Sequence, residues 1–369
     1  MAFLYSGLYE AIPDIDLYLE RIEYHGDRRP TLDNLKELMW KNLTHIPYGN
    51  LDFYRNQKCP SLAIPDIFEK IIVKHGCGGC FEINLLFFGL LKSLGYDLFP
   101  VTVKCLFGST DPVVPTHCAA IVTIDDSRYY VDVGLGLPSP VVPVELKEGC
   151  GWQPSVISSH YYSYKMHQEG NSILFEGNNG SKRMSMVSFV LQPVELVDLI
   201  PLNYYACMAD TSPVTQGIIV EMFRENGTAS ILKKRLTISS DDKVEKRLLE
   251  TDDDLNTVLW KIFGIKRMKL SVIFEEKPER WGFRGDPYFW DHLKALAEEM
   301  DIITPDELET WIKEEYFSLS GKPLTDEYMD FAVIEQFAHG GMSSGGVDNT
   351  WWMEEGIPLL KSRLTAIRV

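Results

Sequence analysis

Two cysteines, Cys77 and Cys80, stand three positions apart among glycines in KHGCGGCFEINLLFFGLLKSLGY, residues 74–96, directly ahead of a helix that is apolar nearly all round. Three chemistries compete for this stretch. A C-x-x-C pair at a helix start can be redox-active, because the helix dipole stabilises a thiolate. It can be half of a zinc site, which needs four ligands in all. Or one thiol can be a catalytic nucleophile, which needs a base and a group to orient that base.

Zinc is poorly served. There is one C-x-x-C, and His75, His117 and Cys118 complete no familiar spacing. A thioredoxin-like pair would follow an early strand in a βαβ unit, whereas only helix-like segments precede Cys77. The nucleophile has better partners. VPTHCAAIVTI places His117 at the entry of a strand, and RYYVDVGLG places Asp132 at the end of the next one, fifteen positions on. Two antiparallel strands joined by the DDS turn can bring these side chains together. An imidazole would then take the thiol proton while a carboxylate holds its tautomer and supports its charge.

The elements that must position these groups read as helices first and strands after. DIDLYLERIEY and TLDNLKELMWKNL carry apolar residues at helical spacing, the second behind a Thr31 N-cap. AIPDIFEKIIVKHG is a third short helix, with Pro65 near its start and Gly76 near its end, and the segment from Cys80 is the fourth. After Gly95 strand-like runs follow: LFPVTVKCLFG, HCAAIVTI, RYYVDVG, YYSYKMHQ, SILFEG, MSMVSFVLQPVEL, GIIVEMFRENG and ASILKKRLTIS. LNTVLWKIFGI closes the section as a helix near Ile265. The order predicts an α+β fold with a mostly antiparallel β region.

The 369 residues are enough for two or three domains. A formal net charge of −17, with no basic cluster, argues against nucleic acid or an anionic membrane as partner. The start lacks the basic n-region of a signal peptide, and no apolar run reaches the ~18–20 residues of a membrane span. Seven cysteines, an odd number, suit reduced thiols in a cytoplasmic protein better than a disulfide framework. A boundary is expected near 266, giving a catalytic domain over 1–265 and an acidic, mainly helical domain over 266–369. From Lys269 onward there are 20 acidic and 10 basic side chains, more than half of the net charge. Arg284, Asp286, His339, Ser343 and Ser344 form a candidate second polar site there; the alternative is turns and core. Such a domain can also dock a protein partner.

Taken together, the segments resemble the arylamine N-acetyltransferase family over roughly residues 12–265. HIPYGNLDF resembles that family's P-F-E-N-L-D segment, GCGGCFEIN its R-G-G-[aromatic]-C-F-E-x-N nucleophile segment, PTHCAAIV its T-H segment and YVDVGLG its V-D-V-G-F-G segment. LNTVLWKIFGI resembles its C-terminal helix. The resemblance implies an N-terminal helical bundle, an antiparallel β-barrel and an α/β lid. It implies a Cys80–His117–Asp132 triad and a ping-pong transferase. There the thiolate takes an acetyl or other small acyl group from acetyl-CoA or another acyl-CoA, and passes it to an arylamine, hydrazine or hydroxylamine. It implies no metal and no tightly bound cofactor, acyl-CoA being a co-substrate. Gly134 and Gly136 carry over as CoA-side candidates, and Gly79, Phe81 and Leu135 as candidates for the acyl or acceptor pocket.

The departures matter as much. Gly76, Cys77, Gly78 and Gly79 stand where the family has Arg, Gly, Gly and an aromatic, and Gly49 stands where it has Glu. The family's Glu and Arg pair beneath the nucleophile; losing both together avoids an unpaired buried charge. Gly79 and Leu135, the latter in place of Phe, remove bulk near the thiol. A wider pocket would suit an amide synthase that takes bulkier acyl thioesters or acyl groups from a carrier protein. An inactive homologue serving as a binding module is a third reading. Cys77 either fills the place of a glycine or acts as a resolving thiol that shuts off Cys80 by a disulfide.

Overall fold

The computed structural model describes residues 5–265, apart from 57–58, 110, 138, 158–159, 180–182, 210 and 241–242. The expected boundary near 266, and every expectation for the segment beyond it, lie outside the described residues.

The N-terminal helices are α1 (Ile15–Arg21), α2 (Leu32–His45), α3 (Leu51–Asn56), α4 (Ile64–Phe68) and α5 (Cys80–Ser93). Asp14 and Thr31 cap α1 and α2, each side chain accepting a backbone N–H three residues on. One wide turn over Glu69–Val73 prolongs α4 toward the glycines. Ten of the fourteen residues of α5 are buried, so this helix is the centre of the bundle rather than a surface helix.

A two-residue strand, β1 (Tyr48–Gly49), interrupts the helices. The long antiparallel sheet follows: β2 (Asp97–Cys105), β3 (His117–Ile124), β4 (Ser127–Val131), β5 (Val144–Glu145), β6 (Trp152–Ile157), β7 (His160–Glu169), β8 (Ser172–Asn178) and β9 (Arg183–Val190). Its spatial order is β5-β4-β3-β2-β9-β8-β7-β6. The sheet curls until its edges meet. Gln153 on β6 gives its amide to the Glu145 carbonyl (2.7 Å) and takes the Glu145 N–H (3.0 Å) on β5. The barrel is thereby nearly closed.

β3 is buried on both faces, which is why HCAAIV reads as an almost continuous apolar run. Ala119 and Ile121 face the barrel core with Tyr130, Phe175 and Phe189, while Cys118, Ala120 and Val122 pack in the helical core with α5. Next comes α6 (Leu199–Met208), then β10 (Ile219–Arg224), β11 (Gly227–Leu232), β12 (Arg235–Ser240), β13 (Lys243–Leu248) and α7 (Asp252–Phe263). The second sheet runs β1-β10-β11-β12-β13, so β1 ties this C-terminal sheet to the helical bundle.

Two expectations change. ASILKKRLTIS, expected as one strand, is a hairpin: Lys233 takes φ +56° and the chain turns back between β11 and β12. MSMVSFVLQPVEL stops being a strand at Val190, and its end leads into α6. α6 carries Pro201 and no polar stripe, so it shows no helical period in sequence.

Candidate active site

Cys80 is the first residue of α5, behind Gly79 as N-cap. Its loop is clamped on the other side by β1: the Gly49 N–H donates to the Gly78 carbonyl (2.8 Å), and the Gly78 N–H to the Pro47 carbonyl (3.3 Å). Asn50, fully buried, fixes β1 in turn, donating to the Val214 and Gly217 carbonyls and accepting the Ile219 N–H. The sulfur therefore sits at the positive end of a fourteen-residue helix, which favours negative charge on it. It is half-buried, and the Thr116 carbonyl lies 3.7 Å away.

His117 and Asp132 meet as the strand order predicts. β3 and β4 pair antiparallel, Ala120 opposite Val131, and both residues lie at the barrel mouth just where that pairing ends. His117 Nε2 is 2.7 Å from Asp132 Oδ2, and both side chains are buried. That contact leaves Nδ1 as the ring nitrogen available to exchange a proton with the Cys80 thiol. Burial disfavours the imidazolium, but the charge of Asp132 outweighs it and holds His117 well above the ordinary histidine value. Burial likewise penalises the Asp132 carboxylate. The His117 charge and hydrogen bonds from His117, Asn84 and Gly134 overcome that and keep it below the usual carboxylate range. Tyr130 adds a fourth donor at 2.8 Å.

Asn84, one helical turn after Cys80 and so on the same face of α5, binds helix, strand and loop together. Its amide donates to Asp132 Oδ1 (3.0 Å) and to the Cys118 carbonyl (2.7 Å), and its carbonyl accepts the Val133 N–H (3.0 Å). Asn84 and Tyr130 were not singled out from sequence, although C-F-E-x-N carries Asn84 at the i, i+4 spacing that gives it away.

The ion pair expected to be lost with Gly49 and Gly76 has a substitute. Lys70 Nζ contacts Glu82 Oε1 at 2.7 Å and Asp52 Oδ2 at 2.6 Å. Glu82 is 3% exposed, and its other oxygen accepts the Gly79 N–H at 2.9 Å, capping α5 directly before the nucleophile. Burial opposes charge on both partners. It raises Glu82 despite Lys70, whereas the two carboxylates hold Lys70 charged, above its ordinary value. Lys70 lies on the preceding helical turn, ten residues upstream, where no sequence spacing points to it. The backbone also explains Gly76: a Cβ there would lie 2.9 Å from the Lys70 carbonyl.

Cys77 is buried, and its thiol takes the space above Gly49, where a Cβ would come within 2.9 Å of the sulfur. Burial pushes this thiol up to about 12. Cys77 and Cys80 are both free thiols. Among the described residues, no three His, Cys, Asp or Glu side chains converge on a possible metal position.

The loop after Asp132 needs its glycines for close approach. A Cβ on Gly134 would lie 2.7 Å from the Cys80 carbonyl and from the Asn84 amide; Gly136 has φ +80° and packs against Glu221. Of the expected pocket residues, Gly79 lies beside Phe53, where a Cβ would make ordinary contact at 3.4 Å. Phe81 and Leu135 instead point into the helical core and the barrel core, because helix and loop turn those positions inward.

A family model described as N-acetyltransferase matches residues 31–271. The chain belongs to this N-acetyltransferase family. Its reaction class is acyl transfer from an acyl-CoA co-substrate to an amine. The arylamine N-acetyltransferase of Mycobacterium tuberculosis is 26% identical over 257 residues, covering 68% of this chain and 89% of the relative. Proansamycin X synthase of Amycolatopsis mediterranei is 25% identical over 258 residues, covering 68% of this chain and 97% of the relative. The solved structure of the M. tuberculosis arylamine N-acetyltransferase shares the fold, with a TM-score of 0.64, 24% identity and coverage of 71% of this chain and 96% of that one. The Mycobacterium marinum arylamine N-acetyltransferase, solved in complex with CoA, gives 0.62 at 25% identity, covering 68% of this N-acetyltransferase and 93% of that chain.

Proposed function

We propose that Cys80 carries the acyl group, that His117 moves the proton and that Asp132 positions and charges His117. The observation that carries this reading is the buried His117–Asp132 pair, 2.7 Å apart and anchored through Asn84 to the helix that opens with the half-buried Cys80 thiol. The Cys80 thiolate attacks the thioester carbonyl of the acyl-CoA. The tetrahedral intermediate collapses, the CoA sulfur leaves with the proton from His117, and acyl-Cys80 remains. An arylamine, hydrazine or hydroxylamine then attacks the acyl carbon and gives its surplus proton to His117. The Cys80–acyl bond breaks, and the amide departs. An intact triad of this kind also weighs against an inactive binding module.

Steady-state kinetics with acetyl-CoA and 4-aminobenzoate or isoniazid test the sequence of steps. Parallel lines in double-reciprocal plots are expected; intersecting lines would show a ternary complex and refute the acyl-enzyme.

Amide synthesis from a bulkier donor is the second reading. It is favoured by the missing side chain at Gly79, where the family has an aromatic, and by the similarity to proansamycin X synthase. Faster labelling of the enzyme by longer acyl thioesters than by acetyl-CoA would support it, and strict acetyl preference would refute it. A carrier protein or other partner docked on the acidic segment over 266–369 and a cytoplasmic location complete the proposal. The composition of that segment and the reduced thiols support them.

A further inference from the structure

The two residues of β1 face opposite ways, as strand geometry requires. Gly49 turns toward Cys77; Tyr48 turns to the other side, where it stands opposite Glu221 of β10 in the ladder. Both side chains are half-buried. They face the loop that follows Asp132. Glu221 Oε2 accepts the Leu137 N–H at 3.1 Å, and the same oxygen lies so close to Gly136 that no Cβ fits there. The Tyr48 ring borders the same glycine, at 3.8 Å from a Cβ built on it. Through its backbone Tyr48 bridges to Gly78, two residues before Cys80, so this wall adjoins the loop that carries the thiol.

These groups are left short of partners. The Leu137 N–H is the one hydrogen bond to Glu221 among the described residues, and no described cation pairs with it. The Tyr48 hydroxyl has no hydrogen bond among the described residues. Both side chains are only half-buried, so the oxygens not used within the protein can exchange water for a ligand. Tyr48 also stands where the P-F-E-N-L-D segment has Phe, so the hydroxyl is an addition of this chain. A carboxylate and a phenol at one wall of the acyl-transfer site are complementary to a positively charged donor on the substrate.

Resting on the acyl-transfer reading above, we propose that Tyr48 and Glu221 form a recognition subsite for acceptor amines that carry a second, protonated nitrogen. The two nitrogens have different tasks. An aromatic amine is neutral at pH 7 and free to attack acyl-Cys80. An alkylamine on the same ring stays protonated, as a lysine does, and binds Glu221. Tyr48 accepts a further N–H from the ammonium. An acceptor with a carboxylate in that place meets Glu221 as a like charge and is disfavoured.

The test compares 4-(aminomethyl)aniline, 4-methylaniline and 4-aminobenzoate on the full chain, as wild type, Glu221→Gln and Tyr48→Phe. Glu221→Gln keeps an acceptor for the Leu137 N–H and so preserves the loop. The first readout is kcat/KM for acetyl transfer. The second is direct binding of each amine by calorimetry without acyl donor, and the third is acetyl-Cys80 formation by mass spectrometry. Wild type is expected to favour the aminomethyl compound over the methyl compound by at least about tenfold in kcat/KM and in affinity. Glu221→Gln should lose that preference and accept 4-aminobenzoate better, with acetyl-Cys80 still formed; Tyr48→Phe should reduce the preference by a few-fold. Equal ratios in wild type and Glu221→Gln, with acylation intact, would overturn the subsite and leave the acyl-transfer reading standing. A binding preference that disappears in Glu221→Gln, with no acylation in any form, would support the subsite and refute the transfer reading.

Discussion

Replacing Lys70 by Met probes how α5 is held in place beneath the nucleophile. The ammonium contacts Glu82 at 2.7 Å and Asp52 at 2.6 Å; Glu82 is 3% exposed, Lys70 25% and Asp52 28%. Removing one partner of a fully buried ion pair is destabilising by about 3–5 kcal/mol, because the remaining charge has no solvent. The partial exposure of Lys70 and Asp52 lowers this, since water can reach their end of the cluster, and about 2–4 kcal/mol is a fair range. Glu82 would meet the loss partly by taking up a proton, which burial already favours. The effect is local, at the cap of α5, so amide hydrogen exchange in residues 79–86 is the suitable assay. At 1.36 kcal/mol per decade, exchange there should quicken by roughly 30- to 900-fold. Lys70→Met with Glu82→Gln removes the stranded charge and should recover at least half of the lost protection on a logarithmic scale. A change under threefold in Lys70→Met, or a double variant worse than the single one, would refute the account of this cluster.

Asp132→Asn should lower acetyl transfer by about 10³–10⁴-fold with little change in fold, because Asn cannot support the imidazolium or hold its tautomer; stopped-flow acylation measures it. The His117–Asp132 pair also predicts how stability varies with pH. Asp132 is shifted down, so its contribution is full above the ordinary carboxylate value near 3.8 and is lost as pH falls through its lower folded value. His117 is shifted up, so its contribution is full below 6.5 and fades as pH rises through its higher folded value. The stability gap between wild type and Asp132→Asn, from denaturant melts, should therefore be widest between these limits. Cys77→Ser should leave peroxide inactivation unchanged, since the Cys77 thiol is buried and held protonated at neutral pH; loss of dithiothreitol-reversible inactivation in that variant would show a resolving role after all.

The chemistry-bearing residues were legible in sequence because each sits at a punctuation point. Cys80 opens a helix behind glycines, His117 opens a strand, and Asp132 closes the next one after a short turn. Their meeting followed from antiparallel pairing, which the DDS turn enforces. What supports them was not legible. Lys70 reaches Glu82 from another helical segment, and Glu221 reaches Gly136 across 85 residues of chain; neither contact leaves a period or a spacing. The absent Glu and Arg at Gly49 and Gly76 suggested a lost ion pair, yet the need for a cation beneath the cap of α5 is met by a different residue. Phe81 and Leu135 were misplaced because proximity in sequence to the thiol says nothing about which way a helix or loop turns a side chain. α6 was missed because its exposed face, with Pro201, Tyr204 and Tyr205, is not marked by charged residues, so the sequence shows no amphipathic signature.

Intact-protein mass spectrometry after brief exposure to acetyl-, propionyl- and malonyl-CoA, on wild type and Cys80→Ala, tests the acyl-enzyme most directly. One added acyl group on wild type and none on Cys80→Ala is the predicted result, and the donor that labels fastest sets the acyl class. Equal labelling of both proteins, or a wild type that turns over acyl-CoA and amine without ever carrying the acyl group, would contradict a Cys80 thioester.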